Sequence, residues 1–330
     1  MSKIFRFEDT KDKALSIGPW FGELGYELFD YQAKVRGFVS DHAFSKVVAL
    51  CRSGRAHLYE DFATEIIEYD YASENCFNAH LKKDLPKDII EKIHKDFMKI
   101  KPHYNIEGGS WVWNGYKLLR EALEEQGTHY INRDVNRVYA KDAIYPFESV
   151  SPPRFIEFGN ENQDLKYDFV IHARNVVKEP KPGYNIDTLR NWEQEKWDEL
   201  ISKFKGFKIA CIGSLDYSFV MEGCDDFRGK GLSFAADLLR SSKLIVGPSS
   251  GPMHFASLCG CRQAVWDNVD SKSRYLHAWN PFGEKVYYYD NKILENDTLK
   301  PSWFKWTTYE HSPSVENIYK FIEAALEEKE

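Results

Sequence analysis

The chain has 330 residues, enough for two domains of about 150 each, with 43% hydrophobic and 29% charged residues, a globular balance. No run of about 18 apolar residues occurs, so no membrane-spanning helix is expected, and the opening MSKIFRFEDTKDKALS lacks the apolar centre of a secretory leader. The formal net charge of −7 argues against general nucleic-acid binding, although a local basic cleft is compatible with it.

The first unit opens on ALSIGPW (14–20), a short apolar strand. GELG (22–25) follows as a glycine turn. Leu24, Leu28, Tyr31, Val35 and Phe38 then step at helical spacing along one apolar stripe, and Glu23, Glu27, Asp30 and Lys34 form a polar stripe beside it. KVVALC (46–51) and ATEIIEYDY (63–71) read as further strands. Residues 84–100 read as an amphipathic helix, and 108–127 as a glycine-led loop and a helix stopped by Gly127. Strand–helix alternation predicts a parallel sheet. YPFESVSPPRFIEFGNENQD (145–164), with three prolines and an acidic second half, reads as the linker.

In the second unit KYDFVIHARN (166–175) holds a buried strand. Residues 191–206 form a helix with Asn191 as N-cap and Gly206 past its end. FKIACIGS (207–214) is a strand, 232–242 a helix capped by Ser233, KLIVG (243–247) a strand, PMHFASLCG (252–260) its helix, and RQAVWDN (262–268) a strand. SVENIYKFIEAALEEKE (314–330) is a terminal helix with Val315, Ile318, Phe321, Ile322 and Ala325 on one face. The pattern is two doubly wound α/β units, with a ligand expected where they face each other. Aromatics make up 15% of the chain; they suit either a core or a sugar-binding surface, and the core is the preferred reading. Six scattered cysteines read as reduced thiols of a cytoplasmic protein, and no Cys/His spacing fits zinc.

Three stretches carry chemistry. GPSSGPMH (247–254) joins a strand to a helix. Ser249, Ser250, Gly251 and His254 there form either a phosphate cradle at the helix N-terminus or a tight turn with a capping serine. FVIHARN places His172 and Arg174 at a strand's C-terminal end, on one face. Arg suits phosphate through its planar fork, and the bland alternative is an interdomain salt bridge. Arg190, before the next helix, is a further cation. Lys178 and Lys181 read as part of a solvated loop. Gly22 and Gly25 bring the GELGYELF turn close to whatever fills the cleft, and Glu27 or Glu23 could act there as general base, unless both simply face solvent. Ser214 and Leu215 follow a strand and could touch a nucleotide base. Neither a P-loop nor a GxGxxG fingerprint is present, and Glu68-Tyr69-Asp70 is too weak a pair to imply a metal.

Residues 227–261 resemble the donor-site segment of the heptosyltransferase-like glycosyltransferases (family 9), with SGPMH matched letter for letter. LRNWEQEKWDELI (189–201) and GELGYELF are similar to two further stretches of that family, in the same order. GELGYELFDYQA and IHARN also resemble motifs of GT-B fucosyltransferases. The resemblance implies a GT-B fold of two facing Rossmann-like domains: an acceptor-side domain over 1–155, a nucleotide-sugar domain over 156–310, and a helix over 311–330 crossing back onto the first. It implies metal-independent, inverting transfer from a nucleoside-diphosphate-sugar to an acceptor hydroxyl of a carbohydrate or glycoconjugate, with no cofactor. In this chain Tyr26 stands where the family has its acidic base, and Ser249 where it has an acid before SGPMH. A nucleotide-sugar epimerase, an inactive nucleotide-sugar binder and a DNA-base glycosyltransferase remain as alternatives.

Overall fold

The computed structural model describes residues 10–20, 22–70, 86–108, 120, 123–132, 135, 137–140, 143–146, 151–175, 190–267, 272–290 and 313–328. Contacts divide the chain into two compact units, Met1–Phe155 and Ile156–Glu330. Among the described residues no helix is long and apolar enough to cross a membrane. Cys76, Lys178, Lys181 and most of the helix expected over 108–127 lie outside the described residues.

In the first unit β1 (Ala14–Ile17), β2 (Lys46–Arg52) and β3 (Glu65–Tyr69) pair in parallel, and β4 (Tyr104–Ile106) and β5 (His129–Ile131) extend the sheet on the other side of β1. Two antiparallel strands, β6 (Arg137–Ala140) and β7 (Ala143–Pro146), complete the order β3-β2-β1-β4-β5-β6-β7. The predicted stripe of Leu24, Leu28, Tyr31, Val35 and Phe38 is buried throughout. It runs along α1 (Leu24–Tyr26), a π-helical segment Glu27–Gln32 and α2 (Ala33–Asp41). The wider π turns break the regular period, and Glu27, expected on the polar stripe, is buried with the apolar side chains. α3 (Lys87–Ile100) buries Ile93 and Phe97 against the sheet's Val48, Leu50 and Tyr130.

Where the structure describes the linker expected over 145–164, its backbone is held by hydrogen bonds. Its first residues belong to β7. Arg154 N–H then donates to the Ala33 carbonyl at 2.8 Å, and Arg36 donates to the Arg154 carbonyl at 3.2 Å. From 158 onward the backbone is fastened to the second unit: Phe158 N–H to Leu258 O at 2.7 Å and Asn160 N–H to Asp237 Oδ1 at 2.7 Å. Prolines and acids hid these docked backbone groups from a reading based on composition.

The second unit is a parallel sheet in the order β10-β9-β8-β11-β12-β13. Its strands are β8 (Phe169–Ile171), β9 (Ile209–Cys211), β10 (Asp225–Asp226), β11 (Ile245–Pro248), β12 (Gln263–Asp267) and β13 (Val286–Asp290). The helices between them are α4 (Gln194–Lys203), α5 (Leu232–Ser241) and α6 (Gly251–Phe255). Glu193 and Gly231, rather than Asn191 and Ser233, flank α4 and α5. Trp192, Trp197 and Trp266 are fully buried and pack edge-on and tilted at 4.9–5.5 Å, so these rings are core. The terminal helix α7 (Val315–Glu327), capped by Ser314, buries Val315, Ile318, Ile322 and Ala325 in that same core. The helix expected to cross to the first unit thus gives its apolar face to the second. The tryptophans of α4 and β12 leave an apolar surface, and the Trp192 indole N–H donates to Pro313 O at 2.9 Å just ahead of the helix.

Candidate ligand site at the sheet edges

In an open parallel sheet, ligands gather beyond the strands' carboxyl ends, where the strand order reverses. In the second unit that point lies between β8 and β11. His172 and Arg174 follow β8, and Ser249, Ser250 and Gly251 follow β11, so the fold brings these predicted residues to one edge. Their closeness depends on Gly247: a Cβ there would lie 2.8 Å from the His172 carbonyl and 3.3 Å from Met253 Sδ. Ser214 and Leu215 follow β9, one strand further along.

Ser250 occupies the N-cap of α6 but its side chain makes no cap bond there; its hydroxyl pairs with His172 Nδ1 at 2.8 Å. α6 is five residues long before a 3-10 turn (Ala256–Leu258), so its dipole is short and side chains must supply most of the charge. Arg190 Nη1 donates to the Ser249 carbonyl at 3.0 Å, placing this cation against the turn. Burial, and then the charges of Arg174 and Arg190, push the His172 pKa down to about 3. Burial, and then Arg274 and Arg190, hold His254 well below its ordinary value. Both imidazoles are therefore neutral at pH 7, and the positive charge of the edge belongs to arginines. His254 stacks on Tyr275 at 4.0 Å and meets Trp279 edge-on at 4.7 Å. The Tyr275 hydroxyl accepts the Ser250 backbone N–H at 3.2 Å. Half-buried arginines beside buried, neutral hydrogen-bonding groups form a setting suited to an anion.

Ser214 is buried and its Oγ accepts the Asp216 N–H at 3.2 Å, whereas Leu215 is 50% exposed. At Gly213 (φ +134°) a Cβ would lie 2.6 Å from Ser218 Oγ and 3.0 Å from the His172 ring, so only glycine fits this turn. The sequence reading missed Arg274, Tyr275, Trp279 and Asp267. The first three lie in and just after a π-helical segment (Arg274–Ala278) that carries no motif, and Asp267 is the last residue of β12.

In the first unit the strand order reverses between β1 and β4. Gly22 and Glu23 follow β1, and Glu107 follows β4. Arg52 holds the turn through the Gly22 carbonyl at 2.9 Å. Glu23 is half-buried, Gly25 is buried in α1, and Tyr26 is 39% exposed. Glu27 has another occupation: its carboxylate pairs with the Arg55 guanidinium and accepts the Tyr59 hydroxyl at 2.8 Å, all three residues being fully buried. A carboxylate closed in this way cannot reach an acceptor hydroxyl, so the structure removes Glu27 from the base candidates. Glu107, another residue the sequence reading missed, has a 20% exposed side chain with Arg120 Nη1 3.7 Å away. Among the described residues no group of three or more His, Cys, Asp or Glu could hold a metal ion.

No protein-family model matches the sequence, and no curated protein is similar to it in sequence. The fold does have solved counterparts. The two Rossmann-like α/β units have the fold of solved glycosyltransferases. A glycosyl transferase family 9 structure from Veillonella parvula matches at a TM-score of 0.59 and 11% identity, over 98% of this chain and 99% of that one. The ADP-heptose heptosyltransferase II of E. coli matches at 0.54 and 12% identity, over 95% and 98%. The E. coli heptosyltransferase WaaC, solved with ADP, matches at 0.55 and 11% identity, over 94% and 99%. At these identities the likeness is one of fold, and the chemistry has to be argued from the side chains.

Proposed function

We propose that the chain is a glycosyltransferase. It moves a sugar from a nucleoside-diphosphate-sugar, bound by the second unit, to a hydroxyl of a carbohydrate or glycoconjugate acceptor bound by the first. The observation that carries this reading is the edge where Arg174, Arg190 and the Ser249–Gly251 turn meet at the β8/β11 reversal. A nucleoside diphosphate leaving group gains charge as the glycosidic bond breaks. The two arginines and the hydroxyls of the serine turn would meet that charge without a metal or cofactor. Neutral His172 fixes the Ser250 hydroxyl, so the turn is oriented before the donor arrives. Leu215, exposed one strand away, suits the face of the nucleobase.

With Glu27 buried, Glu23 takes the acceptor proton; single displacement then inverts the anomeric carbon, as the resemblance implies. The free thiols of Cys51, Cys211, Cys224, Cys259 and Cys261 support a reducing, cytoplasmic setting. The test is release of nucleoside diphosphate from UDP-, GDP-, ADP- and CMP-sugars (nucleoside monophosphate for the CMP-sugars), with and without a glycan acceptor mixture. Acceptor-dependent release supports transfer. Sugar interconversion without an acceptor would favour the epimerase, and binding without turnover the inactive binder.

A further inference from the structure

The second unit has a cleft of about 680 Å³ between α4 and the turn that leads into β10, with Asp198, Lys205, Phe207, Glu222 and Gly223 among its lining residues. That volume lies within the range of small-molecule sites. Phe207 precedes β9 and Gly223 precedes β10, so this end of the cleft lies at the amino ends of the strands. His172, Arg174 and Ser250 follow carboxyl ends, at the opposite edge of the sheet.

Phe207 gives the cleft a fixed aromatic face. Its ring packs at 5.4 Å and 83° on Phe204 and at 6.3 Å and 54° on Phe169. Both of those rings are buried, so Phe207 is held from behind and yet stays 43% exposed. Leaving that much aromatic surface in water forgoes burial energy. On the wall formed by the β10 turn, Gly223 (φ +87°) brings bare backbone against α4: a Cβ there would meet Ile201 Cγ2 at 3.4 Å. Gln194, in the first turn of α4, ties the helix to this segment by donating to the Val220 carbonyl at 3.4 Å.

The polar groups around the ring carry both signs. Asp198 and Glu222 are exposed acceptors, and Lys205 is an exposed donor. The charge of Asp198 reaches across to the β10 turn: the Cys224 thiol is pushed up to about 12 by burial and then by Asp225, Asp198 and Asp226. Two carboxylates against one ammonium disfavour an anionic ligand, and the ammonium disfavours a simple cation. An aromatic face with hydrogen-bonding groups around it fits a molecule with an apolar face and a polar rim. A neutral sugar has both: C–H groups on the face of its ring, and hydroxyls at its edge that donate to carboxylates and accept from an ammonium.

We propose that this cleft is a carbohydrate-binding site for a neutral glycan, in which a sugar ring stacks on Phe207 and its hydroxyls bond to Asp198, Glu222 and Lys205. The inference does not rest on the donor-site reading. The test titrates the whole chain with maltose, cellobiose, lactose and chitobiose, and with spermidine as a cationic control, by saturation-transfer NMR and calorimetry. Wild type is compared with Phe207→Ala, the double variant Asp198→Asn/Glu222→Gln, and Arg174→Ala. The expected result is binding of at least one disaccharide by wild type and equally by Arg174→Ala, weakened roughly tenfold or more by Phe207→Ala and by the double variant. Asp198 and Glu222 are exposed, so the double variant keeps its fold and still reports if Phe207→Ala does not. Binding of none of these sugars by wild type overturns the inference. So does binding that the variants leave unaltered, which would place the sugar on another surface. A spermidine affinity above that of every sugar, and lost in the double variant, would make the cleft a cation site and overturn it too. Each of these results leaves the donor-site reading standing, because nucleotide-sugar binding tests that separately.

Discussion

Replacing Arg55 with Met tests whether Glu27 is a structural lock or an acceptor base. The Glu27 carboxylate has two described partners, Arg55 and the Tyr59 hydroxyl, and all three residues have 0% exposure. Met keeps much of the arginine's volume but leaves a buried carboxylate with one hydrogen bond. Breaking a buried pair from one side costs about 3–5 kcal/mol. For a unit of this size, each kcal/mol moves the midpoint by about 2–4 °C, so the first unit should lose roughly 6–20 °C. The double variant Glu27→Gln/Arg55→Met removes both charges and should recover most of that loss, because the two changes act on one interaction. Scanning calorimetry of wild type, the two single variants and the double variant gives the coupling energy. A loss below about 1 kcal/mol in Arg55→Met would refute the lock, since it would mean that Glu27 is solvated and so available as a base.

Glu23→Gln should leave the unfolding midpoint within a few degrees and donor affinity unchanged, while turnover with acceptor falls by about 10²–10⁴-fold, the usual worth of general-base assistance; wild-type turnover would return the base assignment to Glu107 or elsewhere. Gly247→Ala forces a methyl to within 2.8 Å of the His172 carbonyl and should cost about 1–3 kcal/mol in stability, with a clear loss of donor affinity; unaltered affinity would detach the β8/β11 edge from the site. The buried histidines predict acid sensitivity. The folded pKa of His172, at about 3, lies below the unfolded value, so the unfolded chain binds the extra proton between the two. Stability is therefore independent of this residue above about pH 6.5 and falls below it, by up to about 1.4 kcal/mol per pH unit. Urea midpoints from pH 8 to pH 4 should fall less steeply in His172→Gln, and identical slopes would contradict the assignment.

The second unit was the more legible half. FVIHA, KLIVG and RQAVWDN are apolar runs bounded by turn residues, and they became β8, β11 and β12. His172 and Arg174, and Ser249, Ser250 and Gly251, each follow a strand legible in the sequence, and ligands gather at such carboxyl ends; that β8 and β11 are neighbours is seen only in the sheet order. The first unit hid more. β4 and β5 are three residues each, too short for a period, and β6 (RVYA) and β7 (AIYP) are only four residues each. Glu27 looked exposed because helical spacing assumes 3.6 residues per turn, and the π segment Glu27–Gln32 does not obey it. Its partner Arg55 lies 28 positions away in an unremarkable SGRAH turn.

Donor binding is the claim on which the rest depends. Wild type and Arg174→Ala should be screened by thermal shift against UDP-, GDP-, ADP- and CMP-sugars. At one hundred times its Kd a true donor stabilises the wild-type chain by about 2.7 kcal/mol, and Arg174→Ala should lose that shift while keeping its ligand-free midpoint. No shift with any nucleotide-sugar, or an equal shift in both proteins, would contradict a diphosphate site built on Arg174.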